Sequence, residues 1–367
     1  MMVTGAARSL RTRDPESGRS SRATPCGAAE NVRWRLRIGY MPYGGTTNKY
    51  AERMIEILGA FGNVSDLPRP KSLLRRPAQL RREFDAAILN WVEFDLVRQR
   101  DRAFSLFGFA KVLARVLLAR CVARRVIFVR HNHYPHGTRE RDVERARRAL
   151  DLLERLFDVV LVHSGHDLGA RRHYVPHPLY RIDGTPLTAD EERLLAGLPG
   201  DCYAVFGRIE RYKRIERLLA AFPASRNLLV FGATEDPGYV EELRALAGSN
   251  VRILAGYVSD AFAQAALRRS RGLVLAHVER EMIVSGSLFY GLSIGSPVFA
   301  LDSPALSWIR ERIGGEAIHV ADDIPGLCAA IAADRAPAVS VPERQSVIDA
   351  EFGDGRIEAV FRRVLQP

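Results

Sequence analysis

Two cations and a glycine carry the first chemistry in this chain. In FGRIERYKRIERLLAAF, residues 206–222, an apolar strand runs into Gly207, Arg208 follows, and Lys213 stands five residues further on at the head of an amphipathic helix. A glycine at a strand end allows a tight turn, and a guanidinium and an ammonium then face the mouth between strand and helix. Free N–H groups and the fractional positive charge of a helix start point at the same place, so the pattern fits a diphosphate. A solvated basic helix start is the plainer alternative, and these residues alone do not separate the two.

Carboxylates and imidazoles supply the second chemistry. ILNWVE (88–93) ends in Glu93, and RHNHYPHG (130–137) holds His131 and His136, each stretch following an apolar strand. Any of the three could take a proton from a hydroxyl. His277, Glu279, Ser285, Gly286 and Ser287 form a polar loop and helix start, read equally as ligand contacts or as a helix cap. His177 either reaches across a domain join or caps a hinge. No DxD-type pair stands at a strand end, so no metal site is expected. Cys26, Cys121, Cys202 and Cys328 lack the paired spacing of a zinc or redox centre and read as reduced thiols of a cytoplasmic protein.

The elements that must position these groups follow from the hydropathy pattern. From Trp34 onward short apolar strands alternate with amphipathic helices, which predicts parallel sheets covered on both faces. Strands are expected at 35–40, 84–89, 125–129 and 159–164, then near 202–206, 227–231, 251–254, 272–276 and 297–300. Helices are expected over 47–60, 104–121 and 140–156, and from near Lys213, Pro237, Asp260, Ser285 and Pro304. The expected division is a disordered segment 1–32, a doubly wound α/β domain 33–183, a second one 184–341, and a C-terminal helical segment 342–367 that crosses back to the first. Prolines, a glycine and a polar run between Pro178 and Glu192 mark the join. In such sheets ligands bind beyond the carboxyl ends of the strands.

A formal charge of +11 over 367 residues points to a polyanionic partner. Nucleic acid is set aside, because neither interleaved aromatic and basic residues nor a helix-turn-helix pattern occurs. Much of the excess lies in the first thirty residues and in residues 98–126, where Phe104, Leu106, Phe107, Val112, Leu113, Val116, Leu117 and Leu118 are ringed by arginines and a lysine. That segment reads either as a peripheral helix on an anionic membrane face or as a core helix with snorkelling arginines. No run of eighteen apolar residues is present to span a membrane.

The order of motifs resembles a known family. After Gly207, Arg208 and Lys213 come LLVFG (228–232), VRILAGYVSD (251–260) and GLSIGSPVFA (291–300), while ILNWVE and RHNHYPHG are similar to the LHWPE and HNLRPHE stretches of bacterial exopolysaccharide glycosyltransferases. The resemblance implies a GT-B fold, two Rossmann-like domains facing a cleft, and a metal-independent hexosyltransferase. Its donor would be a UDP- or GDP-linked sugar acting as co-substrate, with no separate cofactor. The acceptor would be a saccharide or polyprenyl-linked saccharide at the inner face of the plasma membrane. Arg208 and Lys213 would hold the diphosphate, Tyr257 and Val258 the base, and Gly44, Gly45, Thr46 and Asn48 would form the cleft loop. Relatives place two glutamates over the donor sugar and ribose. Here Met282 and Tyr290 occupy those positions, with Glu279 and Glu281 shifted nearby, so the stereochemical course stays open. A nucleotide-sugar epimerase or hydrolase on the same architecture is the alternative.

Overall fold

The computed structural model describes residues 35–43, 48–68, 82–182, 184–277, 283, 285–335 and 341–366. The expected disordered segment 1–32, Gly44, Gly45 and Thr46 of the cleft loop, and Glu279 and Glu281 lie outside the described residues.

The first sheet forms from β1 (Leu36–Met41), β2 (Gly62–Asp66), β3 (Phe84–Asn90), β4 (Ala123–Arg130), β5 (Val159–Val162) and β6 (Arg172–Tyr174), all parallel in the order β2-β1-β3-β4-β5-β6. Crossovers run through α1 (Lys49–Leu58), α2 (Leu106–Val122) and α3 (Glu140–Glu154). Strand β3 is buried at nearly every position, as a parallel strand roofed on both faces must be. One face packs Ile38, Tyr40 and Ile88 against Met54 and Leu58 of α1, and the other packs Leu89 and Phe128 against Val112 and Val116 of α2.

Helix α4 (Ala189–Ala196) leads into the second sheet, made of β7 (Cys202–Phe206), β8 (Asn227–Gly232), β9 (Val251–Ala255), β10 (Gly272–Leu275), β11 (Val298–Leu301) and β12 (Ile318–Ala321). Its order is β12-β11-β10-β7-β8-β9. The intervening helices are α5 (Ile215–Ala221), α6 (Pro237–Leu246), α7 (Asp260–Arg269), α8 (Gly286–Ser293), α9 (Pro304–Ile313) and α10 (Ile324–Ala333). Two helices close the chain, α11 (Val341–Phe352) and α12 (Asp354–Leu365). Helix α11 buries Ile348 and Phe352 in the core of the second sheet, whereas α12 buries Ile357 and Phe361 in that of the first. Arg53 of α1 fixes the crossing, its Nε donating to the Leu179 carbonyl at 3.0 Å and its other arm meeting Asp354 at 2.6 Å.

Three differences from the sequence reading have local causes. Strands β2, β6 and β12 were not expected: all three are short edge strands, β2 and β6 carry little apolar content, and each forms by pairing with a neighbour. The polar run read as linker folds from Ala189 as α4, because Thr188 and Glu191 cap it reciprocally. Helix α5 starts at Ile215 and not at Lys213, which sits in a preceding 3₁₀ turn closed by Arg214 in the left-handed region at φ 51°. Among the described residues no helix is long and apolar enough to cross a membrane.

Phe361 is fully buried where α12 meets the first sheet. Phe361→Ala is therefore expected to cost about 3–5 kcal/mol in urea-induced unfolding, the range for emptying a phenylalanine site.

Candidate active site

In the second sheet the strand order reverses between β7 and β10, and the loops leaving those two strands flank the crevice where doubly wound sheets take ligands. Gly207 ends β7 at φ 104°. Its amide donates to the Phe231 carbonyl at 3.2 Å, and Gly232, at φ 138°, lies so close that a Cβ there would stand 2.2 Å from the Gly207 carbonyl oxygen. Two glycines thus let neighbouring strand ends approach and leave the Gly207 surface open. Lys213 Nζ and Ser287 Oγ come to that surface, each 3.0 Å from where a Gly207 side chain would begin. Both also reach the Phe206 carbonyl, at 3.4 and 3.2 Å. A cavity of about 10 Å³ beside them is lined by Phe206, Lys213, Ala276 and His277.

Ser287 lies in the first turn of α8, whose N-cap Ser285 accepts from the Leu288 amide, and Gly286 opens the helix. The helix start therefore points its free N–H groups to the side where Lys213 is. His277, nearly buried after β10, meets the Tyr212 ring edge-on at 5.4 Å. Arg208 stands apart at the surface, held by Glu210 and Glu235 at 2.6 Å each. Tyr257 is 87% exposed after β9, and Val258 packs partly against the second core. Tyr290 is buried, its ring 4.8 Å from Phe206 and its hydroxyl 3.5 Å from Asp260. Gly207, Lys213, Ser285, Gly286, Ser287 and His277 are thus brought together, while Arg208 and Tyr257 stand exposed at the surface.

The first sheet presents the loops after β3 and β4. Asn90 ends β3, Trp91 turns the chain in the left-handed region at φ 51°, and the 3₁₀ turn Val92–Leu96 carries Glu93 into full burial. Asn132 Nδ2 donates to Glu93 Oε1 at 2.8 Å, while Oε2 has no hydrogen-bond partner among the described residues. Burial pushes the Glu93 pKa up to about 7, against the lowering pull of its own backbone, of Asn132, and of Arg130 and His136. Asn90 Nδ2 donates to the Met41 carbonyl, so its Oδ1 faces His131 Nε2 at 3.2 Å as an acceptor. This assigns the proton to Nε2 and leaves Nδ1 of His131 with its lone pair. Burial, with His163 and His177 adding to it, holds the His131 pKa well below the ordinary value. His136 is half-buried, its ring 6.1 Å from Phe94. Asn48 has a structural task, accepting from the Tyr50 amide as the N-cap of α1. Among the described residues no cluster of three acidic, histidine or cysteine side chains is placed to hold a metal ion.

A column of rings joins these loops to the second sheet. Trp91 stacks on His131 at 4.5 Å, and Tyr50 meets His131 edge-on at 4.7 Å. Tyr50 also lies 4.9 Å from His177, which stacks on Phe289 of α8 at 4.2 Å. His163 donates from Nδ1 to the Val175 carbonyl at 2.9 Å and so accepts from the Tyr50 hydroxyl at Nε2, 3.0 Å away. Its pKa is lowered to about 4 by burial. The Ile283 amide donates to the His131 carbonyl at 3.1 Å, and Lys49 pairs with Asp260, two further ties between the halves. Sequence reasoning missed Tyr50, His163 and Phe289. The available signal was a histidine closing a buried strand in VVLVHS, which looked like any strand end.

No family profile and no curated protein matches the sequence. Solved structures do match in shape. HepE of Anabaena, solved in complex with UDP-glucose, is 13% identical over 90% of this chain and 99% of its own, with a TM-score of 0.59. A sucrose-phosphate synthase from Thermosynechococcus elongatus is 15% identical over 90% and 98%, with a TM-score of 0.60. AviGT4, a glycosyltransferase involved in avilamycin A biosynthesis, is 14% identical over 90% and 98%, with a TM-score of 0.54. The chain shares their architecture of two doubly wound domains, the GT-B fold.

Glu93 yields a signed pH prediction. Its folded pKa near 7 lies above the ordinary 4.5, so its contribution to stability is complete below pH 4.5 and is lost as pH rises through 7. The lowered pKa values of His131, His163 and His177 act in the opposite sense, removing stability as pH falls below about 6.5. Glu93→Gln keeps an acceptor for Asn132 and abolishes only the carboxyl titration. The stability difference between wild type and variant should therefore shift against wild type by on the order of 3 kcal/mol from pH 4.5 to 8 in urea titrations.

Proposed function

We propose that this chain is a nucleotide-sugar-dependent glycosyltransferase, moving a hexosyl group from a UDP- or GDP-linked donor to a saccharide or lipid-linked saccharide in cell-surface or exopolysaccharide synthesis. The observation that carries the reading is the convergence of Lys213 Nζ and Ser287 Oγ on Gly207, at the strand-order reversal and against the first turn of α8. Anion-binding parts meet there from two separate stretches of chain, 207–213 and 285–287. The shared fold of HepE, whose structures hold UDP, UDP-glucose and glucose, supports a nucleotide sugar as the anion.

Transfer breaks the bond between the anomeric carbon and the diphosphate, leaving positive charge on the sugar and negative charge on the departing phosphate. A buried ammonium and fixed N–H dipoles stabilise that negative charge more as it grows, which lowers the barrier and not merely the dissociation constant. We read Lys213 as the principal cation, without a metal, and Arg208 as a rim contact released from Glu210 and Glu235 when donor binds. Of the three candidate bases, Glu93 is sealed from solvent and His131 binds a proton too weakly. His136 is the accessible one, and we assign it to the acceptor hydroxyl. His131 then serves as a fixed hydrogen-bonding group at the join.

The acceptor side carries an apolar tip. Leu106 and Phe107, in the first turn of α2, are 77% and 82% exposed, whereas Val112, Val116 and Ala119 of the same helix are buried. Lys111 and Arg115 are tied to Asp95, and Arg120 to Asp158. The helix is thus a core helix with a hydrophobic end, suited to dip into an anionic membrane face beside a lipid-linked acceptor.

Thermal-shift titration should show stabilisation by UDP or GDP, about 2.7 kcal/mol at one hundred times the dissociation constant. Lys213→Ala should remove that shift and lower turnover by about 2–4 kcal/mol, and Arg208→Ala should lower turnover less. Neither nucleotide stabilising the protein would sink the reading, and an epimerised or freed sugar as the only product would favour the alternative chemistry. On the membrane side, Phe107→Glu should cut flotation with phosphatidylglycerol vesicles several-fold, and unchanged flotation would remove α2 as the contact.

A further inference from the structure

A second site lies behind the first sheet. Arg125 near the start of β4, Val159 at the start of β5 and Arg172 at the start of the edge strand β6 line one wall of a groove of about 850 Å³. Its other wall is α12, through Arg356, Val360 and Arg363. The loops of the candidate active site leave the carboxyl ends of β3 and β4, whereas Arg125 and Val159 stand at the amino ends of their strands. Val159, Leu168, Val360 and Val364 make an apolar floor, and Leu168 is 52% exposed there.

The charges over that floor do not cancel. Arg172 is met by Glu154 and Asp151, and Arg356 by Glu351. Asp158, the carboxylate of the groove itself, is taken by Arg120 and by the Val126 amide. Arg125 donates to the carbonyl oxygens of Val364 and Gln366, which offer it no counter-charge and leave other N–H groups of its fork unused. Arg363 is exposed and has no acidic partner among the described residues. Two uncompensated guanidinium groups therefore border an apolar trough.

We propose that this groove binds a single-chain anionic amphiphile, an alkyl or prenyl phosphate, with its phosphate on Arg363 and Arg125 and its hydrocarbon along Val360, Val364 and Leu168. A guanidinium fork matches phosphate oxygens, and the trough gains from covering apolar side chains that water now reaches. A soluble sugar phosphate would leave the floor wet, and a neutral lipid would leave both cations unmet. The site is independent of the donor pocket and stands whether or not the chain transfers sugars.

Isothermal titration of the full chain with dodecyl phosphate below its micellar concentration tests this, with inorganic phosphate and dodecyl maltoside as controls. One equivalent of dodecyl phosphate should bind, at least about tenfold more tightly than either control. Arg363→Glu and, separately, Leu168→Asp should each weaken it by about tenfold or more, while leaving nucleotide-induced thermal shifts unchanged. Both positions are exposed, so neither variant is expected to unfold. Absence of binding, equal binding of inorganic phosphate, wild-type affinity in both variants, or loss of binding in Phe107→Glu would each overturn the proposal.

Discussion

Three imidazoles packed beside one another tolerate no charge. His131, His163 and His177 stand within one column of rings between the two sheets, and a proton on any of them would sit in an apolar surrounding next to its neighbours. Burial keeps each neutral, and an acceptor fixes its tautomer: Asn90 for His131, the Val175 carbonyl for His163 and the Pro178 carbonyl for His177. With Trp91 at one end and Phe289 at the other, the column ties the loops after β3 and β4 to α8, the helix whose first turn carries Ser287. The relative placement of the loops that would meet donor and acceptor therefore rests on keeping these rings uncharged.

Around that column the halves contribute different electrostatics. The second sheet offers a cation and helix N–H groups at Gly207, suited to an anion. The first offers neutral donors and acceptors, with a carboxyl at Glu93 whose proton is retained near neutrality by burial. On the proposed reading, the second sheet would stabilise the charge growing on a departing diphosphate, and His136 on the first would take the acceptor proton. Arg53, reaching Leu179 and Asp354, and α12, returning to the first sheet, hold the two sides in one frame.

Some of the site was legible before any fold was known. Gly207, Lys213 and the Ser285–Ser287 turn belong to local strand-turn-helix patterns, and a local pattern reveals its own geometry. Arg208 shows the limit of this: adjacent to Gly207 in sequence, it pairs with Glu210 and Glu235 at the surface, because side-chain direction alternates along an extended stretch and acidic neighbours lie outward. Glu93 read as an available base, yet the left-handed turn at Trp91 swings it into the interior.

The sequence by itself determined the central strands, the crossover helices and the glycine-cation turn, since each follows from short-range periodicity and from turn chemistry read along a few residues. Tertiary structure alone decided which strands take the edges, that Tyr50, Trp91, His131, His163, His177 and Phe289 share one column, and which arginines keep a free charge. Those outcomes depend on which distant groups become neighbours and on how much water is removed from between them, and neither quantity is encoded in any one stretch of chain.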